Sequence, residues 1–209
     1  MTDAQFICYM SVNTLVALGT LFTVVVALFG DRLRAKWWPP KFEAEVRWPL
    51  DPMMPLTRSD SGERIDDAWF YHLTVKNTQK GPAAENVGLH LVSIEEAGPD
   101  GRPQTVWSGD VPVRCRNQES YPIERKMGSP IDYDLCVVRR SNPTLSLMPI
   151  LSANNLPIVR TGQCDFTAGY IVQSAQGESG KIRVRIAWNG QWSNGQTEMA
   201  NNLKPAIVI

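Results

Sequence analysis

One segment near the start of the chain constrains its fold more than any other feature. No residue between Asp3 and Asp31 carries a charge, and the 25 residues from Phe6 to Gly30 are predominantly apolar. A helix rises about 1.5 Å per residue, so this segment spans roughly 37 Å and can cross a hydrocarbon core of about 30 Å. The pattern predicts a transmembrane helix over 6–30, preceded by a short N-terminus over 1–5.

A cleaved signal peptide and a buried core helix are the alternatives to this anchor. A signal peptide needs a positive first region, a shorter apolar core and small residues at a cleavage site. Here Asp3 is the only charged residue ahead of the apolar core, and no A-x-A pattern precedes Asp31. These observations favour an uncleaved anchor.

The segment after the apolar span, 31–40, predicts which way the chain faces. Lys and Arg close to a membrane are retained on the cytoplasmic side, and tryptophan rings anchor at the headgroup level. The N-terminus is therefore predicted to lie outside and the domain from residue 41 in the cytoplasm, at the inner membrane. The predicted membrane-interface residues are Arg32, Arg34, Lys36, Trp37, Trp38 and Lys41.

The apolar span also carries a pattern for self-association. Gly19, Thr23 and Ala27 recur every four residues and form a ridge of small side chains, which allows close helix packing in lipid. Asn13 is a polar side chain that can hydrogen-bond across such a contact. The alternative is that small residues are common in any transmembrane helix and that Asn13 reaches headgroups or water. The predicted partners therefore include further copies of this chain, in a homo-oligomer formed through the helix.

The remainder, 41–209, is predicted to be a mainly β domain. Its apolar residues alternate with polar ones, as in FEAEVRW after Lys41, which is the period of half-buried strands. A Pro-rich loop is predicted over 49–67. Short strands separated by Gly, Pro and Asn indicate an antiparallel sandwich or barrel. The further predicted strands lie at 69–77, 85–94, 131–138, 144–150, 166–174 and 181–188.

One stretch carries a resemblance to a known family. The run LTVKNTQKGPAAENVGLHL at 73–91 is similar to the V-x-N-x-G…A-x-x-V-x-L pattern of bacterial immunoglobulin-like domains, including the adhesion-related CARDB family. Asn77, Gly81, Ala83 and Val87 occupy the corresponding places, with a longer gap between Asn and Gly. The resemblance implies an immunoglobulin-like β-sandwich on a bacterial single-pass membrane protein, and it leaves the activity open.

Charge and motif content argue against several functions. The chain has 21 basic and 21 acidic residues, whereas a nucleic-acid binder that works through bulk charge shows a basic excess. Phosphate-binding, dinucleotide-binding, nucleophile-elbow and zinc-protease motifs do not occur. Cys115, Cys136 and Cys164 have no close spacing, so no zinc site, disulfide framework or cofactor is predicted. We therefore expect a protein that is not an enzyme.

The two histidines, His72 and His90, each lie opposite the main apolar row of their strand. Surface or half-buried side chains are the expected outcome, and a shared metal site lacks carboxylates or thiols at ligand spacing. Adjacent carboxylates in a strand point to opposite faces, so Asp66 with Asp67, and Glu95 with Glu96, should not converge.

Asp132 and Asp134 do share a face of their predicted strand. They have the chemistry for a cation site or an acid–base couple, but a solvated pair neutralised by Arg139 and Arg140 is the plainer interpretation. A pocket that gathers both carboxylates and a basic residue would be the mark of an enzyme.

A basic stripe is predicted on the strand at 181–188. Lys181, Arg183 and Arg185 share one face, while apolar residues occupy the other. On a domain tethered to a bilayer the stripe can face anionic lipid or a partner, at about 1 kcal/mol per charge. The alternative is an exposed edge strand that Lys and Arg keep soluble.

Together these patterns predict a membrane-anchored protein whose cytoplasmic sandwich is an interaction or scaffold module. Its partners would be the lipid bilayer and a protein. The alternative is an envelope or adhesion-like module on the outer side of the membrane.

Overall fold

The computed structural model describes residues 3–37, 39–47, 53–58, 60–79, 83–116, 127–151 and 153–208, with the side chains of 3–9 and 31–36 left aside. The chain divides into two compact units, Met1–Pro39 and Pro40–Ile209.

The first unit contains one long helix, α1, from Asp3 to Trp37. Within it, Met10–Gly30 has a mean hydropathy of 2.2 and none of this stretch is buried inside the protein. Large apolar side chains such as Leu15, Phe22 and Leu28 are more than half exposed. The helix is therefore long and apolar enough to span a membrane or to act as a signal sequence, and it extends beyond both ends of the predicted span.

The second unit is an antiparallel β-sandwich, which confirms the predicted fold class. The first sheet has the order β1-β3-β6-β7-β8, with β2 also pairing with β3. The second sheet has the order β12-β11-β9-β4-β5, with β10 also pairing with β9. Its elements are β1 (Phe42–Arg47), β2 (Met54–Thr57), β3 (Arg64–Asn77), β4 (Gly88–Ala97), β5 (Pro103–Pro112), β6 (Ile131–Arg139), β7 (Thr144–Leu147), β8 (Val159–Thr161), β9 (Cys164–Ser174), β10 (Gly177–Glu178), β11 (Ile182–Trp188), α2 (Gln196–Asn202) and β12 (Leu203–Val208).

The core lies between the two sheets and is built by alternation. Trp69, Tyr71, Leu73 and Val75 all point inward from β3, because successive side chains of a strand point to opposite faces. The second sheet contributes rows such as Ile94, Ala168 and Val184, which lie opposite one another on β4, β9 and β11. Charged and polar side chains are left for the two outer faces.

The sequence prediction missed several elements. The expected Pro-rich loop over 49–67 contains the four-residue strand β2, and β3 begins at Arg64. Pro55 fits in β2 because that strand is an edge and pairs only with β3. The short helix α2 was not predicted. Nor were strands β5 and β12, which form the two edges of the second sheet.

The strand order brings distant loops together at each end of the sandwich. At one end, Lys41 is held by the end of β3, since Thr78 N donates to Lys41 O (2.8 Å) and Lys41 N donates to Asn77 Oδ1 (3.2 Å). We call this the Lys41 end. The opposite end, which we call the Arg140 end, carries the turn between β6 and β7.

Candidate functional site

Three threonine hydroxyl groups of helix α1 are satisfied within the helix. Thr14, Thr20 and Thr23 each donate to the carbonyl four residues earlier, over 2.8–2.9 Å. The hydroxyl on the predicted Gly19, Thr23 and Ala27 ridge therefore already has an acceptor and brings no unsatisfied donor into lipid. At 3.6 residues per turn, Asn13 lies roughly 120° around the helix from Gly19, about 80° from Thr23 and about 40° from Ala27. Asn13 is therefore closest in direction to the Ala27 end of the ridge.

The predicted membrane-interface residues are only partly covered by the structure. Trp37 closes α1 with its side chain 67% exposed, as expected for a ring that contacts headgroups or solvent. Trp38 lies outside the described residues, as do the side chains of Arg32, Arg34 and Lys36. Lys41 is described, and its backbone belongs to the sandwich.

An ion cluster occupies the outer face of the first sheet. His72 Nδ1 lies 3.1 Å from Asp134 Oδ1, and Arg114 Nε lies 3.9 Å from Asp134 Oδ2. His72 and Asp134 are 6% and 7% exposed, so this pair is nearly removed from water. Register explains their approach, because His72 on β3 lies directly opposite Asp134 on β6.

Asp132 belongs to the same cluster. It accepts a hydrogen bond from Thr74 Oγ1 (2.5 Å), and Arg47 Nη1 lies 3.9 Å from its second oxygen. The outer face therefore places Asp132 and Asp134 beside basic residues. Each carboxylate is already neutralised, so the cluster is suited to holding strands together.

Arg139 and Arg140 are not the partners of these carboxylates, so that part of the prediction is wrong. Arg140 Nη1 lies 3.3 Å from Asp67 Oδ2, and Arg64 donates to the same carboxylate. Asp66 instead accepts from the Ser141 hydroxyl (2.6 Å). Asp66 and Asp67 therefore point to different partners, as expected. The β6 register carries Arg140 to the far end of the strand, away from Asp132.

The outer face of the second sheet holds the other histidine. His90 Nδ1 lies 2.6 Å from Asp110 Oδ1 and the residue is 8% exposed. Both histidines are thus more buried than the surface or half-buried positions predicted for them. They lie on opposite outer faces of the sandwich, so a shared metal site is ruled out. Among the described residues, no group of three or more His, Cys, Asp or Glu side chains is placed to hold a metal ion.

The predicted basic stripe lies on this second outer face and is largely paired. Lys181 Nζ and Arg183 Nη2 donate to the two oxygens of Glu95 over 2.9 and 2.8 Å, and Arg185 Nε donates to Asp165 Oδ1 (2.9 Å). These hydrogen bonds lower the pKa of Glu95 and of Asp165 below their usual values. Strand β11 lies between β9 and β12, so it is not the edge strand considered in the sequence analysis.

A glycine makes the Lys181 contact possible. Gly169 lies on β9, between Arg183 of β11 and Ser93 of β4. A Cβ atom there would come within 2.3 Å of Lys181 Cε and 2.4 Å of Ser93 Oγ. The missing side chain therefore leaves a notch in which the Lys181 stem crosses β9 to reach Glu95.

Glu96 turns the other way and connects the sheets. Its Oε1 lies 2.5 Å from Arg160 Nη2, and the Arg160 guanidinium carbon lies 5.3 Å from the centre of the Phe166 ring. Since Arg160 belongs to β8 and Glu96 to β4, the pair closes the sandwich between the sheets. The expected divergence of Glu95 and Glu96 is confirmed.

The described cysteines are free thiols. Cys115 and Cys136 are buried and Cys164 is partly buried. Burial raises the pKa of Cys136 and Cys164, so both thiols stay protonated and weakly nucleophilic at neutral pH.

A cavity of about 380 Å³ opens at the Lys41 end. Its wall is formed by the end of β3 and the residues that precede β6. The cavity could not be predicted from the sequence, because its two sides lie about 50 residues apart in the chain. Its lining residues are Lys76, Asn77, Gln79, Ala83, Met127, Gly128, Ser129 and Pro130.

The fold and these surfaces define a mainly β chain with an N-terminal apolar helix. Comparisons with protein-family models, with curated proteins and with solved structures found no match. The resemblance to CARDB-like immunoglobulin domains therefore stays a prediction.

Proposed function

We propose that this chain is a single-pass membrane-anchored protein whose cytoplasmic β-sandwich is a non-catalytic protein-interaction or scaffold module. The observation that carries the proposal is that none of the apolar stretch Met10–Gly30 is buried inside the protein. Exposed apolar surface of this extent is unfavourable in water and favourable in a bilayer, which points to lipid as its surroundings.

The polar groups within the helix support the same surroundings. A bilayer core supplies no water, so unsatisfied donors there are costly. The hydroxyls of Thr14, Thr20 and Thr23 are satisfied by carbonyls of their own helix. The orientation is supported by Arg32, Arg34, Lys36 and Lys41, which follow the apolar stretch, while no basic residue precedes it.

The interaction role is supported by the edges of the sandwich. An edge strand presents unpaired backbone groups to which an extended segment of a partner can add. Strand β5 is ten residues long, pairs with β4 and carries no Lys or Arg. The prolines of β5, Pro103 and Pro112, stand at its two ends, whereas β12 contains Pro205 in its interior and β8 has three residues. The pairing of β5 with β4 shifts register at two places. Val106 of β5 is 46% exposed.

A topology reporter tests the compartment. Fusion of green fluorescent protein after Ile209 should fluoresce and fusion of alkaline phosphatase should be inactive. The chain should also stay in the membrane after carbonate extraction. Mass spectrometry should show that its N-terminal segment has not been removed. Active phosphatase would refute the cytoplasmic placement.

A specific observation keeps a second candidate open. A helix near the N-terminus also has the length and composition of a signal sequence. The sandwich would then be an envelope or adhesion-like module on the outer side of the membrane. The same fusions distinguish the two, because active phosphatase on a chain shortened by about 30 residues is the result expected for the second candidate.

A pull-down tests the interaction role. The tagged full chain, extracted in a mild detergent, should retain one or a few stoichiometric protein partners. Val106→Lys places a charge on the β5 edge and should reduce that recovery, whereas Glu178→Lys on β10 is the matched control. A solitary chain in repeated extractions would contradict the proposal.

A further inference from the structure

The segment just before α2 contains an asparagine followed by a glycine, Asn194 and Gly195. In such a dipeptide the backbone nitrogen of the glycine can attack the side-chain carbon Cγ of the asparagine, because no glycine side chain obstructs the approach. A succinimide ring forms and the side-chain nitrogen leaves as ammonia. Two groups accelerate this attack, a base for the glycine N–H and a donor for the carboxamide oxygen.

The base is supplied by two side chains in series. Gly195 N donates to Ser193 Oγ (3.1 Å), and Ser193 Oγ donates to Glu198 Oε2 (2.8 Å). The Ser193 hydroxyl can accept one proton while it gives up another. The Glu198 carboxylate can therefore take up the amide proton of Gly195 through this hydroxyl.

Glycine at position 195 is required for this arrangement. A Cβ atom there would overlap Glu198 Oε2 and would lie 3.0 Å from the carboxyl carbon of Glu198. The carboxylate thus occupies the space that any other side chain would fill, directly beside the Gly195 backbone.

The carboxamide of Asn194 is activated by a different neighbour. Trp192 Nε1 donates to Asn194 Oδ1 (3.1 Å). An indole N–H is only a donor, so the carboxamide atom that faces it is the oxygen. Negative charge develops on this oxygen when Cγ is attacked, and a donor beside it stabilises that charge. Asn194 is exposed, so water can reach the ring and open it.

The other Asn–Gly pair of the sequence, Asn189 and Gly190, is held differently. Asn189 Oδ1 accepts from Gln191 N (2.9 Å) and Asn189 Nδ2 donates to Asn202 Oδ1 (2.9 Å). Among the described residues, no side chain accepts from the Gly190 N–H. The Asn189 carboxamide must lose both hydrogen bonds to turn towards that nitrogen, so the fold should protect this pair.

We propose that Asn194–Gly195 is a self-modifying site at which the fold accelerates succinimide formation. The Gly195 nitrogen forms a bond to Asn194 Cγ and the bond from Cγ to Nδ2 breaks. The proton that Glu198 takes up through Ser193 is returned to the departing nitrogen, which leaves as ammonia. Water then opens the ring to aspartate or isoaspartate, without any oxidant or reductant. The reaction needs no partner and no particular compartment, so it does not depend on the proposed function.

The modification changes a segment that is fixed to the core. Ser193 O accepts from Trp69 Nε1 (2.9 Å) on one side of Asn194, and α2 begins at Gln196 on the other. Isoaspartate routes the main chain through the former side chain and so adds a carbon atom between these two points. The surface around Trp192 is therefore altered irreversibly.

The experiment follows deamidation of the full chain in maltoside micelles at neutral pH and, in parallel, of the chain unfolded in urea. Peptide mass spectrometry locates the conversion of each asparagine, and isoaspartate methyltransferase detects the isoaspartate product. Asn194 should convert at least about tenfold faster in the folded chain than in urea, because a positioned base and donor accelerate such steps. Asn189 should convert more slowly in the folded chain than in urea.

Three substitutions identify the groups responsible. Glu198→Gln removes the proton acceptor, Ser193→Ala removes the hydroxyl that connects it to the amide, and Trp192→Phe removes the donor to the carboxamide oxygen. Each should lower the conversion rate of Asn194 in the folded chain severalfold, while the rate of Asn189 stays the same. Far-ultraviolet circular dichroism checks that each variant is folded.

The pH profile separates proton transfer from a merely structural role of these hydrogen bonds. With the relay in place, the rate at Asn194 should change little with pH around neutrality. In Glu198→Gln the rate should instead rise with the hydroxide concentration, as for an unassisted amide. Glu178→Gln, on the exposed strand β10, is the matched control and should behave as wild type.

Two results would overturn the proposal. Slower conversion of Asn194 in the folded chain than in urea would show that the fold protects this pair as well. Equal rates and equal pH profiles in wild type and Glu198→Gln would show that the pair reacts through its dipeptide sequence alone.

Discussion

The outer faces of the two sheets carry similar residues in different surroundings. On the first sheet, Asp134 and His72 are each less than a tenth exposed. On the second sheet, Lys181 and Arg183 are about 40% exposed where they bind Glu95. Removing one partner of a buried pair costs more, because the polar group left behind has no water to compensate it. The same residue types therefore stabilise the two faces to different extents.

The largest expected effect is from Asp134→Ala on the first sheet. It leaves Arg114 without its carboxylate and the buried His72 ring without the polar partner beside it, and we expect a loss of about 2–3 kcal/mol in the free energy of unfolding. Urea denaturation of the full chain in maltoside micelles, followed by tryptophan fluorescence, measures it. Glu178→Ala, on the exposed strand β10, should change that value by less than about 0.5 kcal/mol. Equal effects of the two substitutions would contradict the difference between buried and exposed pairs.

A smaller effect is expected from Gly169→Ala on the second sheet. The new methyl group would meet Lys181 and Ser93 at 2.3–2.4 Å, and overpacking of this kind costs about 1–3 kcal/mol. The Lys181 stem can move, so we expect the lower part of that range. Adding Ser93→Ala should restore part of the loss, as measured by the same denaturation. An unchanged free energy of unfolding in Gly169→Ala would show that the Lys181 contact does not depend on the notch at Gly169.

Acid should reveal the contribution of Glu95. Its pKa is lowered below 4.5 in the folded chain by hydrogen bonds from Lys181 and Arg183. A carboxyl group whose pKa is lowered in the folded state stabilises the fold at pH values above its unfolded pKa. That contribution is lost as the pH falls through the folded pKa. Wild type should exceed Glu95→Gln by about 0.5–1 kcal/mol in unfolding free energy at pH 7. The difference should disappear once the pH is below the folded pKa, and a difference that is constant with pH would refute this assignment.

The smallest effect is expected from Arg185→Gln. Arg185 and Asp165 are 57% and 49% exposed, so we expect little change in the free energy of unfolding in the same assay. The variant also tests the basic stripe as a lipid-facing surface. Because Arg185 is the most exposed of the three cations, retention on anionic vesicles should fall in this variant if the stripe faces lipid. Unchanged retention would count against that surface.

Alternation made much of the fold predictable. Side chains alternate between the two faces of a strand. This alternation predicts the inward-facing row of β3 and the separate basic and apolar faces of β11, and the structure has both. Elements without a clear period were missed, including β5, whose register shifts at two places, and β2, which contains a proline. Bulges and edge positions weaken the pattern because they release a strand from strict pairing.

Partners of charged residues were much less predictable. Arg139 and Arg140 follow Asp134 closely in sequence, yet Arg140 binds Asp67 at the other end of the strand. Asp134 is paired by residues 62 and 20 positions away, His72 and Arg114. A strand carries its residues about 3.3 Å apart, so neighbours in sequence soon become distant, while register brings remote residues side by side.

The sequence by itself determined the apolar helix, the β-sheet class and the sides on which the charges lie. Each of these depends on hydrophobicity and local period, which neighbouring residues set among themselves. The tertiary structure alone decided that Glu95 neutralises two cations of the stripe, that both histidines are buried against aspartates, and that a cavity opens beside Asn77. These depend on strand order and register, which arise only when segments far apart in the chain pack against one another.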